Sequence, residues 1–303
     1  MWGKARCPAS CGEIVQGNIR GKDFLITCPI SLYTEVDVKL VPKKTNSSDD
    51  CDEFYDKKSY KSYLAALKTL HFFKVEGLKP VIKINTQIPR GIGLSSSTAD
   101  ITATCMATAS AAGRYIFSGD IADIALSIEP SDGVMFSGAV IFDHIKGTWK
   151  ESLGSLPDMD VYIIDTGETV DTKEFNSRKD LLALNQKKEA RVMVALEMAR
   201  SAIKKGDVKL LGEAMIMSAM AHQEILYKYH LENIIESALK FGAVGVNIAH
   251  SGSAMGLFFE KNCRIDNGLW KELDRVLKHH TGGYRIIKTC IDNRGPVYLI
   301  GGI

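Results

Sequence analysis

The sequence lacks any apolar run of the roughly 20 residues needed to cross a bilayer. Its first residues, Met1 to Arg6, run into Cys7-Pro8 without the apolar stretch of a secretory leader. It has no Cys-x-x-Cys pair. The seven cysteines, at positions 7, 11, 28, 51, 105, 263 and 290, are odd in number and scattered, which argues against a disulfide framework or a zinc knuckle. Small buried hydrophobes in a reducing compartment, the cytoplasm, are the expectation. An excess of one charge is missing as well: 38 basic residues face 36 acidic ones, for a net +2. Such a balance gives no general attraction to nucleic acid or to an anionic membrane, while leaving room for a local anion pocket.

What is present is an ordinary globular composition. The chain has 303 residues, 45% of them hydrophobic, enough for a large core in one large or two ordinary domains. The first forty residues read as strands, with clear apolar–polar alternation over 24–40. Residues 43–53 are polar and turn-rich, the pattern of a solvated loop. Helical spacing follows over 59–75, then a strand at 79–86. A breaker-rich loop at 88–97 leads into a helix of small residues over 98–112, a second helix at 119–127 and a strand at 139–142. Gly147, Gly154 and Pro157 mark 144–158 as a connection, which divides the chain into 1–150 and 151–303. Beyond it the pattern predicts a strand at 161–164 and helices over 177–205, 207–229 and 232–241. Strands at 244–248 and 257–259, a helix at 267–279 and strands at 285–291 and 297–300 complete the reading. The order is α+β, without strict alternation of strand and helix.

The loop at 88–97 carries the chemistry. A helix's first turn has backbone N–H groups without intrahelical partners, and the macrodipole adds partial positive charge there. Glycines let a backbone approach an anion closely, and serines add short donors. Gly91, Gly93, Ser95, Ser96 and Ser97 supply both at the head of the helix. A serine-capped helix after a tight turn would look the same. The Gly-Lys-Ser/Thr ending of a Walker loop is absent.

Pro89-x-x-x-Gly93-Leu94-Ser95-Ser96-Ser97-Thr98-Ala99 resembles the phosphate loop of the GHMP kinases, which phosphorylate galactose, homoserine, mevalonate and phosphomevalonate. Pro8-Ala9-Ser10-Cys11-Gly12-Glu13 with Gly17 resembles the family's first motif. Asn247-Ile248-Ala249-His250-Ser251-Gly252-Ser253-Ala254-Met255-Gly256 resembles its third. Within the family, these segments and Glu129-Pro130-Ser131-Asp132 are similar to the threonine kinases of propanediol utilisation and cobalamin synthesis. The resemblance implies the two-domain fold, with an N-terminal domain like ribosomal protein S5 and a ferredoxin-like C-terminal domain. It implies ATP and Mg2+ as cofactors, a small hydroxyl-bearing amino acid as the other partner, threonine first and homoserine or another small alcohol second, and a homodimer as one option. A non-catalytic sensor on the same fold is the competing reading.

The resemblance also distributes roles. Pro89, Gly91, Gly93, Leu94, Ser95, Ser96, Ser97 and Thr98 would bind ATP. Ser97 and Glu129 would hold the metal, and Asp132 would act as base or touch the substrate. A Pro-Ser-Asp-Gly turn with a surface Glu129 is the plainer alternative. Val134 stands where galactokinase and mevalonate kinase keep an aspartate base, so a mechanism without that base stays open. Ser10, Glu13, His250, Ser251, Gly252 and Ser253 would line the substrate side. For Glu13 the alternative is a strand-end carboxylate in solvent, for the Ser251–Ser253 segment an ordinary hairpin, and for His250 a structural hydrogen bond, which is the favoured reading there. His222 and His230, eight apart on one expected helix, read as structural, as do Met215, Met217 and Met220 in its core.

Overall fold

A computed structural model describes residues 1–43, 57–167, 178, 180–278 and 283–300. The polar loop expected at 43–53 lies outside them except for Lys43, as do Cys51, His279 and His280.

Two long strands open the chain, β1 (Trp2–Ile19) and β2 (Lys22–Pro42), joined by a turn at Arg20-Gly21. After α1 (Lys57–Phe72), strand β3 (Leu78–Thr86) pairs with the second half of β2. Helix α2 (Ser96–Ala111) is followed by α3 (Ser118–Leu126), β4 (Ala139–Phe142), β5 (Lys150–Gly154) and β6 (Met159–Asp165). Then come α4 (Leu181–Lys205), α5 (Val208–His222), α6 (Leu231–Lys240), β7 (Gly245–Ile248), β8 (Met255–Glu260), α7 (Gly268–Leu277), β9 (Arg285–Cys290) and β10 (Val297–Ile300). The ten strands form one sheet with the path β5-β4-β2-β1-β7-β8-β6-β9. β3 pairs with β2, and β10 with β1, off this path.

Local chemistry explains several boundaries. Gly206, left-handed with φ 68°, ends α4, and Asp207 then caps α5 by accepting the Leu210 N–H at 3.0 Å. Helix α2 is almost wholly buried, which its Ala, Ser and Thr content allows. A β-carbon on Gly3 of β1 would lie 2.3 Å from the Ala107 carbonyl oxygen, so strand and helix approach as closely as backbones can. In α7, Leu269, Leu273, Val276 and Leu277 share the buried face, the stripe of an amphipathic helix.

Two expectations need correction. The helix expected over 207–229 stops at His222, because the Gln223 side chain both accepts from Lys228 N–H at 2.7 Å and donates to its carbonyl at 3.0 Å, closing a turn. His222 and His230 therefore sit on different elements, His230 being the residue before α6. The connection at 144–158 contains β5, an edge strand pairing with β4 whose side chains are all at least partly exposed. The methionine reading holds: Met215 is fully buried, and Met217 and Met220 pack on the core. Cys7, Cys11, Cys28 and Cys105 are buried, whereas Cys263 is exposed and Cys290 half-buried.

Candidate active site

Three segments distant in sequence meet at the N-terminal end of α2. The Leu94 carbonyl accepts the Ser10 N–H at 3.3 Å, and the Ile92 carbonyl accepts the Ala254 N–H at 3.0 Å. The β1–β2 register shifts between Ser10 and Glu13, a bulge at left-handed Gly12 (φ 52°). A β-carbon at Gly12 would lie 2.6 Å from the Ile248 carbonyl oxygen, so glycine there lets β7 dock beside the bulge. Ser251 to Ser253 do form the β7–β8 hairpin, and that hairpin is packed against Ile92 and Gly93 of the serine loop.

Ser95 adopts the left-handed conformation (φ 58°), unusual for a residue with a side chain. It does not cap α2; its hydroxyl bonds to Ser10 and donates to the Asp132 carboxylate. Strained residues of this kind concentrate at functional sites. Ser96 begins α2. Ser97, in its first turn, donates to the Glu129 carboxylate. The Thr98 hydroxyl accepts the Asp132 N–H at 3.4 Å. Arg90 bonds Asp100 at 2.7 Å, and Thr34 donates to the same buried carboxylate at 2.7 Å, tying the loop to α2. Pro89 and Gly91 lie on the outer part of the loop, where a β-carbon on Gly91 would meet nothing.

The carboxyls of the site are not alike. Burial raises the Asp132 pKa; the Ser95 hydroxyl opposes the shift and the Glu129 charge adds to it. Glu13 is buried as well, which removes the alternative of a strand-end carboxylate in solvent. Burial pushes its pKa well up, with the Asp132 charge adding to the effect. Its Oε2 atom has no hydrogen-bond partner. Charged carboxyls without partners are strongly disfavoured away from water, so Glu13 favours the protonated form.

Sequence reasoning missed Lys61 of α1, whose ammonium contacts Glu129 and donates to Ser97 Oγ at 3.4 Å. It also missed most of a neighbouring cavity of about 310 Å3, lined among others by Asn18, Asp23, His144, Arg178, His222 and His250. The hollow adjoins the loops: the His144 carbonyl accepts the Ser131 N–H at 3.0 Å, and His250 precedes Ser251. Larger hollows among the described residues, about 380 Å3 beside α6 and α7, about 550 Å3 at the end of α1 and about 500 Å3 between Met193 and Leu210, touch no residue of the three loops.

A buried relay stiffens this cavity. Lys188 of α4 lies 3.2 Å from His222 Nδ1, and His222 Nε2 lies 3.1 Å from the His250 carbonyl oxygen. A carbonyl can only accept, so Nε2 carries the proton and Nδ1 accepts from the lysine. His250 Nδ1 in turn lies 2.7 Å from Gln16 Oε1. Burial lowers the His222 and His250 pKa values well below the usual range and that of His144 to about 4. All three imidazoles are neutral at pH 7. Ser253 donates to Asp165 at 3.1 Å, and the Gly252 carbonyl accepts from Lys228.

The residues fit a metal that arrives with a nucleotide. Among the described residues no group of three or more His, Cys, Asp or Glu side chains could hold an ion alone. Magnesium, however, is usually held by one or two protein oxygens together with phosphate oxygens, and Ser97 with Glu129 offers that set.

Family models for the GHMP kinase N-terminal domain and the GHMP kinase C-terminal region match residues 58–141 and 199–267. An L-threonine kinase of Citrobacter freundii is 32% identical over 279 residues, 91% of this chain and 93% of that protein. The chain belongs to the GHMP kinase family. An L-threonine kinase of Salmonella typhimurium is 29% identical over 93% of this chain and 95% of its own length. Among solved structures, the homoserine kinase of Cytophaga hutchinsonii superposes with a TM-score of 0.70 at 17% identity, covering 98% of this chain and 97% of its own, which establishes the fold. As a GHMP kinase the protein is a phosphotransferase with an alcohol acceptor, and ATP is the family's phosphoryl donor. No helix among the described residues is long and apolar enough to cross a membrane.

Proposed function

We propose that this GHMP kinase transfers the γ-phosphoryl group of ATP to the hydroxyl of L-threonine, yielding ADP and O-phospho-L-threonine for cobalamin synthesis. The observation that carries the reading is the cavity adjoining the loops, lined among neutral imidazoles by Asp23 and by Arg178, whose guanidinium is held in place by Asp180 and the Ile225 carbonyl. A carboxylate and a guanidinium match the ammonium and carboxylate of an α-amino acid, and a polyol or mevalonate has no ammonium for Asp23. The two L-threonine kinase relatives make threonine the first acceptor to consider.

In this reading the backbone N–H groups at the head of α2, with Ser95 and Ser96, cradle the phosphates. Ser97 and Glu129 would hold magnesium, which supplies charge neutralisation to the phosphates when bound. The threonine oxygen forms its bond to the γ-phosphorus as the bond to the β–γ bridging oxygen breaks. Asp132, whose raised pKa makes it a better proton acceptor once ionised, takes the hydroxyl proton. Ser10 and Glu13 stand behind it, and Gly252 and Ser253 support the loop from the hairpin. Residues 1–150 then form the nucleotide domain and 151–303 the domain that closes over the acceptor.

The test is ADP release from MgATP with L-threonine, L-serine, L-homoserine, mevalonate and galactose in turn. Turnover with threonine, and phosphothreonine by mass, is the expected result. Turnover with homoserine alone would move the acceptor within the same cavity. Binding of ATP without turnover of any acceptor would replace the reading with a sensor.

A further inference from the structure

The phosphate loop has no lysine in its own sequence, and yet an ammonium group stands on it. Lys61 projects from the first turns of α1, and its Nζ contacts both Glu129 and the Ser97 hydroxyl. Its side chain is 38% exposed, against 19% for that of Glu129, so the amine approaches the pair from the solvent side of the loop. The two side chains it touches are the two that fit a magnesium ion. A cation from the protein thus occupies the position that favours a cation.

We propose that Lys61 is the phosphate-binding lysine of this kinase, delivered from α1 instead of from the loop. It rests against Glu129 while the site lacks nucleotide, and moves onto the β- and γ-phosphate oxygens when ATP binds. Four rotatable side-chain bonds give an exposed lysine the reach for this swing, and triphosphate oxygens offer it more negative charge than a single carboxylate. Its departure frees Glu129 for the ion that accompanies ATP. The proposal rests on the nucleotide reading of the loop, and the experiment separates the two.

The decisive measurement is equilibrium binding by calorimetry of ATP and of adenosine, each in EDTA, to wild type, Lys61→Met and Lys61→Arg. With magnesium removed, any phosphate contribution comes from protein groups alone. Lys61→Met is expected to weaken ATP by about tenfold or more and to leave adenosine unchanged, with Lys61→Arg recovering most of the loss. An equal change for both ligands, or none for either, would overturn the assignment of Lys61, because a merely structural ion pair has no preference for phosphates. Failure of the wild type to bind ATP in EDTA would overturn the assignment of Lys61, and failure with magnesium restored as well would also remove the nucleotide reading. A thermal melt of each variant accompanies the titration. Should Lys61→Met unfold, Lys61→Gln, which keeps length and polarity, carries the same comparison.

Discussion

Gly93 and Gly252 stand back to back. A β-carbon on Gly252 would lie 2.5 Å from the Gly93 α-carbon, and one on Gly93 would lie 3.0 Å from the Gly252 α-carbon. The contact locks the phosphate loop to the β7–β8 hairpin, 159 residues apart in sequence.

Gly252→Ala therefore tests whether that contact shapes the nucleotide site. The added methyl group would also lie 2.3 Å from the Ile92 carbonyl oxygen, with backbone on every side and no flexible side chain to yield. Overpacking of this kind costs roughly 1–3 kcal/mol. A lower urea midpoint with a raised KM for ATP is expected; an unchanged KM would mean that the loop holds its shape without the hairpin.

Removing the metal-side pair should act on turnover. Ser97→Ala deletes the hydroxyl oxygen of the pair, and Glu129→Gln removes the negative charge of its partner. Loss of a preorganised polar group that stabilises transition-state charge lowers kcat by about 100-fold or more. ADP-release assays, with circular dichroism to verify the fold, would report it, and full activity in both variants would sink the site.

Glu13 should make the folded protein less stable at neutral pH than at acid pH. Its pKa is raised in the folded state, so between the unfolded value near 4.5 and the raised value the native state holds the extra proton. Stability then falls as pH rises through that window. Glu13→Gln removes the term: the variant should melt higher than wild type at pH 7, by about 2–4 °C for each 1 kcal/mol relieved, and match it near pH 4. A lower melting temperature at pH 7 would contradict the assignment.

His144 has the opposite sign. Its folded pKa of about 4 lies below the ordinary 6.5, so acidification between those values protonates the unfolded chain first and removes stability, on the order of 3 kcal/mol at most. Asp23 and Asp143 raise this pKa slightly against the burial effect. Chemical denaturation at pH 7.5 and pH 4.5 should show a smaller loss in His144→Gln than in wild type.

Asp23→Asn addresses the acceptor cavity. Asp23 accepts from Asn18 at 2.8 Å and lines the cavity proposed for the acceptor. About a tenfold or greater rise in KM for threonine, with KM for ATP unchanged, is expected. Equal shifts in both would place Asp23 outside acceptor recognition.

Much of the fold was legible because its elements are pure in period. The alternation through β2 and the four apolar residues of β4, Ala139–Phe142, appear where the sequence places them. β5 escaped because a five-residue edge strand, Lys-Glu-Ser-Leu-Gly, offers the core a single large apolar side chain, Leu153, too little to show a period in the sequence. The end of α5 escaped because a side-chain turn at Gln223 stops it without a glycine or proline. Within the site, the loops were readable from glycines and serines in local order. Lys61 was not: it is one of 38 basic residues, and only the packing of α1 beside α2 brings it to Ser97. Likewise, Asp23, His144 and Arg178 share no local pattern, since their cavity is assembled from segments far apart along the chain.

Strand β1 pairs with β10 through Lys4 and Ile300, and with β7 through Glu13 and Ile248. During synthesis, then, the strand that carries Ser10 and Glu13 precedes β7 and β10 and lacks both neighbours until they follow. N-terminal-first folding therefore cannot complete the pairing of β1 before the C-terminal segments exist. Until β7 and β10 follow, β1 presents the backbone groups that pair with them as an open sheet edge.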